Sequence, residues 1–391
     1  MTTYYIGLMS GTSLDGIDAA LLDLRQRPHL LAQHSHPLPD PLRQQLYQLQ
    51  TPGENELSTM MRLDVELGRL FAEAVHALLA KADKRAGEIA AIGSHGQTLR
   101  HYPDGPTPST LQIGDPNLIA ELTGITTVAD LRRRDLAAGG QGAPLVPAFH
   151  AAMFHRDGSN RAILNLGGIA NLTLLPADNQ AAVTGFDTGP GNGLLDSWIA
   201  RHQQQRYDRD GEWAASGHVH PGLLERLLHD PYFARPPPKS TGREYFNLNW
   251  LQPALEPFAD LAPRDVQATL CELSARSIAE ALQAAMDPVE EVLICGGGIH
   301  NRALYQRLEA LLTPARLAST AEAGLDPDWV EAAAFAWLAK QTLAGDPGNL
   351  PSVTGASHPV VLGGIYPGKG PRAEGRVTRD EEKLHHEDTK A

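Results

Sequence analysis

Asp187 stands in the stretch Gly185-Phe186-Asp187-Thr188-Gly189-Pro190-Gly191-Asn192, just ahead of an apolar run containing Leu194, Leu195, Trp198 and Ile199. Glycine opens backbone angles that other residues avoid, and proline fixes one. The pattern predicts a turn that holds one carboxylate rigidly at the mouth of a helix. The positive end of that helix would favour the ionised form. A fixed, ionised carboxylate is what general-base catalysis needs. The alternative is that Asp187 or Thr188 caps the helix.

Three glycine-bearing segments have the composition for phosphate. In the first, Gly11-Thr12-Ser13-Leu14-Asp15-Gly16, with Ile17 and Asp18 beyond it, glycines allow close backbone approach and hydroxyls offer donors to anionic oxygens. No Gly-Lys-Ser/Thr follows, so it is not a Walker A loop, and it leads into a strand rather than a helix. The second is Gly167-Gly168, flanked by Asn165 and Asn171. The third, Gly296-Gly297-Gly298, falls between an apolar strand pattern and a helix, where backbone amides and missing side chains suit a nucleotide. Each also reads as an ordinary turn. Asp15 and Asp18 could support magnesium through water, since that ion keeps several waters and takes few protein carboxylates; solvated hairpin carboxylates are the alternative.

Further polar candidates are His95 and Gln97, expected in a loop past a strand end and able to hydrogen-bond a sugar. Among Arg132, Arg133 and Arg134, at least one could pair with a substrate carboxylate. Glu331 lies in an otherwise apolar helix and needs a partner in a cleft or core. The 16 histidines show no paired helical spacing that would suggest a metal site.

The elements that position these groups follow from hydrophobic periodicity. Residues 4–9 and 17–24 read as two strands of a hairpin around the first glycine loop. Residues 161–166 and 171–175 repeat strand, glycine turn, strand in the second half, which predicts two related lobes facing across a cleft. Helices are expected over 54–81, 118–122, 266–286, 303–312 and 329–343, and short strands over 89–92, 126–129 and 289–295. Residues 231–249, rich in proline and polar groups, predict a surface excursion. The change from clustered charge at 130–135 to clustered glycine at 139–144 marks a candidate junction. The expected organisation is an N-terminal lobe over 1–131, a C-terminal lobe over 132–360, a return to the first lobe over 361–366, and a disordered tail over 367–391.

The 391-residue length suits two domains, and a net charge of -13 argues against nucleic acid or an anionic membrane as the main partner. Cys271 and Cys295, the two cysteines, sit in apolar contexts and predict buried thiols rather than a disulfide framework. The N-terminal residues have no signal-peptide pattern, and no apolar run is long enough to span a bilayer, so a cytoplasmic location is expected.

Taken together, the segments 7–16, 92–98 (Ile-Gly-Ser-His-Gly-Gln-Thr), 132–135 with 139–144, 165–171 (Asn-Leu-Gly-Gly-Ile-Ala-Asn), 185–192, 239–244 (Lys-Ser-Thr-Gly-Arg-Glu) and 295–298 closely resemble the anhydro-N-acetylmuramic acid kinase family. That family is part of the actin/hexokinase/Hsp70-like ATPase superfamily. The resemblance implies an α/β fold of two RNase H-like lobes closing over ATP, with magnesium, in a cytoplasmic homodimer. It implies hydrolytic opening of the 1,6-anhydro ring of 1,6-anhydro-N-acetylmuramic acid with phosphorylation of O6, as part of peptidoglycan recycling. The family's catalytic aspartate falls on Asp187, and its ATP-binding loop falls on Gly11 through Asp18. Two rival readings keep the fold: a kinase of an ordinary free-hydroxyl sugar, and a non-enzymatic ATP-driven binding protein.

Overall fold

The computed structural model describes residues 3–11 and 14–369. Thr12 and Ser13 of the first glycine loop, and most of the expected tail, lie outside the described residues. The tail's first residues are ordered onto the body: Gly368 N donates to Thr126 Oγ1 at 3.3 Å, and Lys369 pairs with Glu121 at 2.7 Å.

Two sheets organise the chain. The first contains β1 (Tyr4–Ser10), β2 (Gly16–Asp23), β3 (His29–Pro37), β4 (Ile89–Tyr102), β5 (Ser109–Ile113), β6 (Thr127–Ala129) and, from the far end of the chain, β12 (Gly364–Tyr366). The second contains β7 (Arg161–Leu166), β8 (Ile169–Leu175), β9 (Thr184–Pro190), β10 (Glu291–Cys295) and β11 (Arg316–Ser319). The first runs in the order β12-β6-β4-β1-β2-β3, with β5 hydrogen-bonded to β4. The second runs β11-β10-β7-β8-β9.

The same plan underlies both. β1, β2 and β3 form an antiparallel meander, as do β7, β8 and β9. β4 lies parallel to β1 and β6 parallel to β4; likewise β10 lies parallel to β7 and β11 to β10. The fold is α/β, with two RNase H-like lobes, and the repeated hairpin in the sequence is the repeated core of each lobe.

The helices follow the periodic patterns closely. Glu56–Ala82 buries Leu63, Leu67, Phe71, Val75 and Leu78, the i, i+4 face, against the first sheet. Pro263–Ala285 packs in the core of the second lobe with Leu270, Leu273, Ile278 and Leu282. Val330–Ala344 is different, because it is buried nearly all round. Its alanines share one cluster with Leu22 of the first sheet and with Ile163, Leu293 and Cys295 of the second. Against the first sheet the approach is backbone to backbone. A Cβ on Gly7 would overlap the carbonyl of Ala332, and one on Gly93 that of Phe335.

Both cysteines are buried free thiols. Among the described residues, no helix is long and apolar enough to cross a membrane.

Candidate active site

The sequence placed Asp187 in a turn; the structure places it inside β9. The helix Gly193–Gln203 follows, and the amides at its start bond the second glycine turn. Gly191 N and Gly193 N donate to Gly168 O, and Asn192 N donates to Gly167 O, all within 3.0 Å. These bonds secure the second glycine turn, whereas the donors to the Asp187 carboxylate among the described residues are Ser240 Oγ and Thr241 N. The expectation of a helix-stabilised carboxylate is corrected accordingly. Burial pushes the Asp187 carboxyl up to about 6, against the lowering effect of its hydrogen bonds with Thr241 and Ser240, and Glu244 pushes it the same way.

Those hydrogen bonds come from the excursion at 231–249. Thr241 N and Ser240 Oγ each donate to Asp187 Oδ2 at 3.0 Å. The backbone is fixed as well: Asp187 N donates to Lys239 O at 3.1 Å, and Tyr232 Oη donates to Asp187 O at 2.8 Å. Lys239 Nζ in turn donates to the carbonyls of Tyr232 and Phe233. An aromatic cluster of Tyr232, Phe233, Tyr245, Phe246 and Trp250 roots the excursion in the lobe. Both side-chain bonds fall on Oδ2, so Oδ1 keeps its lone pairs for a substrate proton. Asp187 is half-buried, reached by solvent on one side and enclosed on the others.

Strand register extends the site. Asn165 of β7 pairs with Asn171 of β8, and Asn171 pairs with Asp187 of β9. Cross-strand partners share a face, so these three polar side chains form a row across the sheet. The row begins at the third glycine segment, where a Cβ on Gly296 would overlap Asn165 Oδ1. Asp187 thus stands at one end of a polar track whose other end is the triple glycine.

The three glycines have separate reasons. Gly296 has φ +81° and is pressed onto the Asn165 side chain and the Leu166 carbonyl. A Cβ on Gly298 would overlap Asn192 Nδ2 and crowd Leu166. A Cβ on Gly297 would meet nothing within 4 Å. Packing explains two of them, and only Gly297 faces open space. Gly297→Val is expected to leave the melting temperature unchanged and to raise KM for ATP roughly tenfold, by blocking a surface a flat ligand would cover. An unchanged KM would remove Gly297 from the nucleotide site.

The first hairpin loop closes with Leu14 N donating to Gly11 O at 3.1 Å. Gly16 opens β2, and a Cβ there would come within 2.8 Å of His36 O. Ile17 is fully buried, Asp15 is exposed and Asp18 is half-buried. The Asp18 carboxyl is raised by burial, against a hydrogen bond from Ser35, with Asp328 and Asp15 adding like charge. Glu331 is raised by burial too, with Arg132 opposing and Asp18 adding. Glu331 is solvent-exposed in the first turn of Val330–Ala344. Among the described residues, no group of three or more His, Cys, Asp or Glu could hold a metal by itself.

His95 and Gln97 are not in a loop, because β4 continues through them to Tyr102 by pairing with β5. Gln97 is fully buried, accepting from Ser10 Oγ at 2.7 Å and donating to Thr98 O. It joins β1 to β4 rather than facing a ligand. His95 stacks near Phe335 with centroids 4.8 Å apart. Arginine only donates, so Nε2 of His95 must accept from Arg132 Nε, leaving Nδ1 to donate to Gly96 O at 2.9 Å. Burial, then the Arg132 charge, lowers His95 to about 3, which keeps the imidazole neutral. Of the three arginines, Arg132 turns inward to His95, to Gly142 O and into the field of Glu331. Arg133 is exposed and pairs with Asp130 at 3.4 Å, and Arg134 is exposed. Sequence reasoning missed Tyr232, Ser240 and Thr241 as partners of Asp187; the segment 239–244 was the available signal.

The glycine hairpin of each lobe, a fixed carboxylate on the second lobe and a repeated RNase H-like core define a two-lobed kinase of the ATPase-fold type. The chain belongs to the anhydro-N-acetylmuramic acid kinase family, whose profile matches residues 3–368. Relatives named anhydro-N-acetylmuramic acid kinase occur in Coxiella burnetii, 54% identical over 93% of this chain and 98% of theirs. One in Pseudomonas syringae pv. tomato is 53% identical over 94% of this chain and 100% of its own. A solved structure of component A of (R)-2-hydroxyglutaryl-CoA dehydratase from Acidaminococcus fermentans covers 85% of this chain and 96% of its own. It is 11% identical with a TM-score of 0.47, too loose a likeness to carry an argument.

Proposed function

We propose that this enzyme opens the 1,6-anhydro ring of 1,6-anhydro-N-acetylmuramic acid with water and phosphorylates O6 from ATP, giving N-acetylmuramic acid 6-phosphate and ADP. The observation that carries the reading is Asp187: a carboxylate with one free oxygen, pushed toward neutrality, beside the glycine turns. Water attacks the anomeric carbon as Asp187 takes its proton. The bond from that carbon to O6 breaks, O6 attacks the γ-phosphorus, and the bond to ADP breaks. The leaving group of the first displacement is the nucleophile of the second. Positioning and charge neutralisation do most of the work of phosphoryl transfer.

The phosphates of ATP lie between Gly11–Asp18 and Gly167-Gly168-Asn171, with the nucleoside against Gly296-Gly297-Gly298. Asp15 and Asp18 fit magnesium held mainly through water, since the like charge raising Asp18 would be relieved by a cation. Bound there, the ion would neutralise phosphate charge. Glu331 and Arg132, oriented by His95, face the sugar; Arg133 and Arg134 stand at the rim. Closure of the lobes excludes bulk water from the phosphate. The same reading places the enzyme in the cytoplasm as a homodimer working in peptidoglycan recycling.

Turnover in oxygen-18 water tests the reaction. The label is expected on the anomeric carbon of freshly formed product and not in its phosphate. Unlabelled sugar phosphate would show direct transfer to an existing hydroxyl, and ATP turnover independent of sugar would show a binding ATPase.

A further inference from the structure

We propose that Arg243 is a catalytic residue that contacts the transferring γ-phosphoryl group, delivered to the second glycine turn by the same segment that fixes Asp187. This inference rests on the phosphoryl-transfer reading of the cleft.

Four observations converge. The guanidinium lies directly over Gly168, its Nε and Nη2 each 2.7 Å from where a Cβ would stand, so a larger residue there would displace it. The turn beneath it has turned its carbonyls to the amides of residues 191–193, so those three amides are not free to hold phosphate. The guanidinium itself makes no ion pair and no side-chain hydrogen bond among the described residues, which leaves its donors available. Asp196, raised to about 7 by burial, feels the opposing charge of Arg243 and the like charge of Asp15 from the first hairpin, so both hairpins lie within electrostatic reach of one carboxyl.

The segment is well anchored for such a role. Lys239 O holds Asp187 N, Thr241 N holds Asp187 Oδ2, and Tyr245 N and Phe246 N both donate to Gly242 O, one residue before Arg243. Phe246 is buried in the aromatic cluster. A planar guanidinium matches two phosphate oxygens at once. In a chain with a net charge of -13, the polyphosphate needs a local cation. No bond to Arg243 forms or breaks; it neutralises charge as O6 attacks and ADP leaves. The segment that carries Arg243 also fixes Asp187 in β9, so the base and the phosphoryl contact are positioned together.

The test compares wild type, Arg243→Ala and Arg243→Lys with ATP and the anhydro sugar. Arg243→Ala is expected to lose roughly a hundredfold or more in kcat, with the sugar KM and melting temperature little changed. Millimolar guanidinium chloride should restore part of the activity of Arg243→Ala, and Arg243→Lys should fall between. Near-wild-type kcat, or a loss confined to sugar KM, would overturn the proposal. So would a lowered melting temperature with no rescue. Wild-type turnover in the same assay tests the underlying kinase reading separately.

Discussion

Asp187→Asn is expected to fold, bind ATP and lose roughly a hundredfold to ten-thousandfold in kcat, the usual contribution of a positioned base. The amide keeps the shape of the carboxylate, and its oxygen can still accept from Thr241 N. What it lacks is the lone pair that takes a proton from water. Stability should move the other way. The carboxyl is raised to about 6 in the folded protein, so protonation favours the fold; that stability is fully present below the unfolded value of 3.8 and is lost as pH rises through about 6. At pH 8 the ionised group opposes folding, and the asparagine variant should melt no lower than wild type. Its advantage should fade as pH falls toward 4. Steady-state kinetics and thermal melts check both halves, and near-normal kcat would remove Asp187 from the chemistry.

Gly93→Val should destabilise the protein far more than Gly297→Val, Asp187→Asn or either Arg243 variant. Gly93 has ordinary backbone angles, but a Cβ there would overlap the carbonyl of Phe335 and come within 3.1 Å of Ala339. The helix Val330–Ala344 cannot move away, because its other side packs with residues of the second sheet. Backbone has no rotamer with which to yield, so the cost should reach about 4 kcal/mol or more. The melting temperature should fall by roughly 10 °C. Because the helix carries Glu331, displacement would also disturb the cleft. A melting temperature close to wild type would show that the two lobes are less firmly seated on this helix than the structure indicates.

The residues that were legible in sequence are those whose local pattern suffices. The hairpin repeat pointed to the two related lobes, since strand, glycine turn and strand are all short-range features. Periodicity located the long helices to within a few residues at each end. Register was not legible. β4 runs through His95 and Gln97 because β5, a dozen residues later, supplies partners that no local pattern reveals. Asp187 read as a turn residue because glycine and proline crowd it, yet β8 pairs with it. Its electrostatics were reversed for a related reason. The helix is present as expected, but the carboxylate takes its hydrogen bonds from Ser240 and Thr241, and burial outweighs them. Buried structural carboxylates were also hidden: Asp135 accepts from Gly142 N, Asn349 Nδ2 and Thr354 Oγ1, and so ties two distant segments together. The triple glycine looked like one signal and is two packing requirements with one open position between them.

The central claim is that Asp187 removes the proton from the attacking water. The pH dependence of kcat/KM tests it most directly, because a base must be ionised to act. An acid limb with its midpoint near the raised value of about 6 is expected, with activity lost as pH falls and the limb absent from the residual activity of Asp187→Asn. A profile that stays flat down to the ordinary carboxylate range, or an acid limb that survives in Asp187→Asn, would contradict the account.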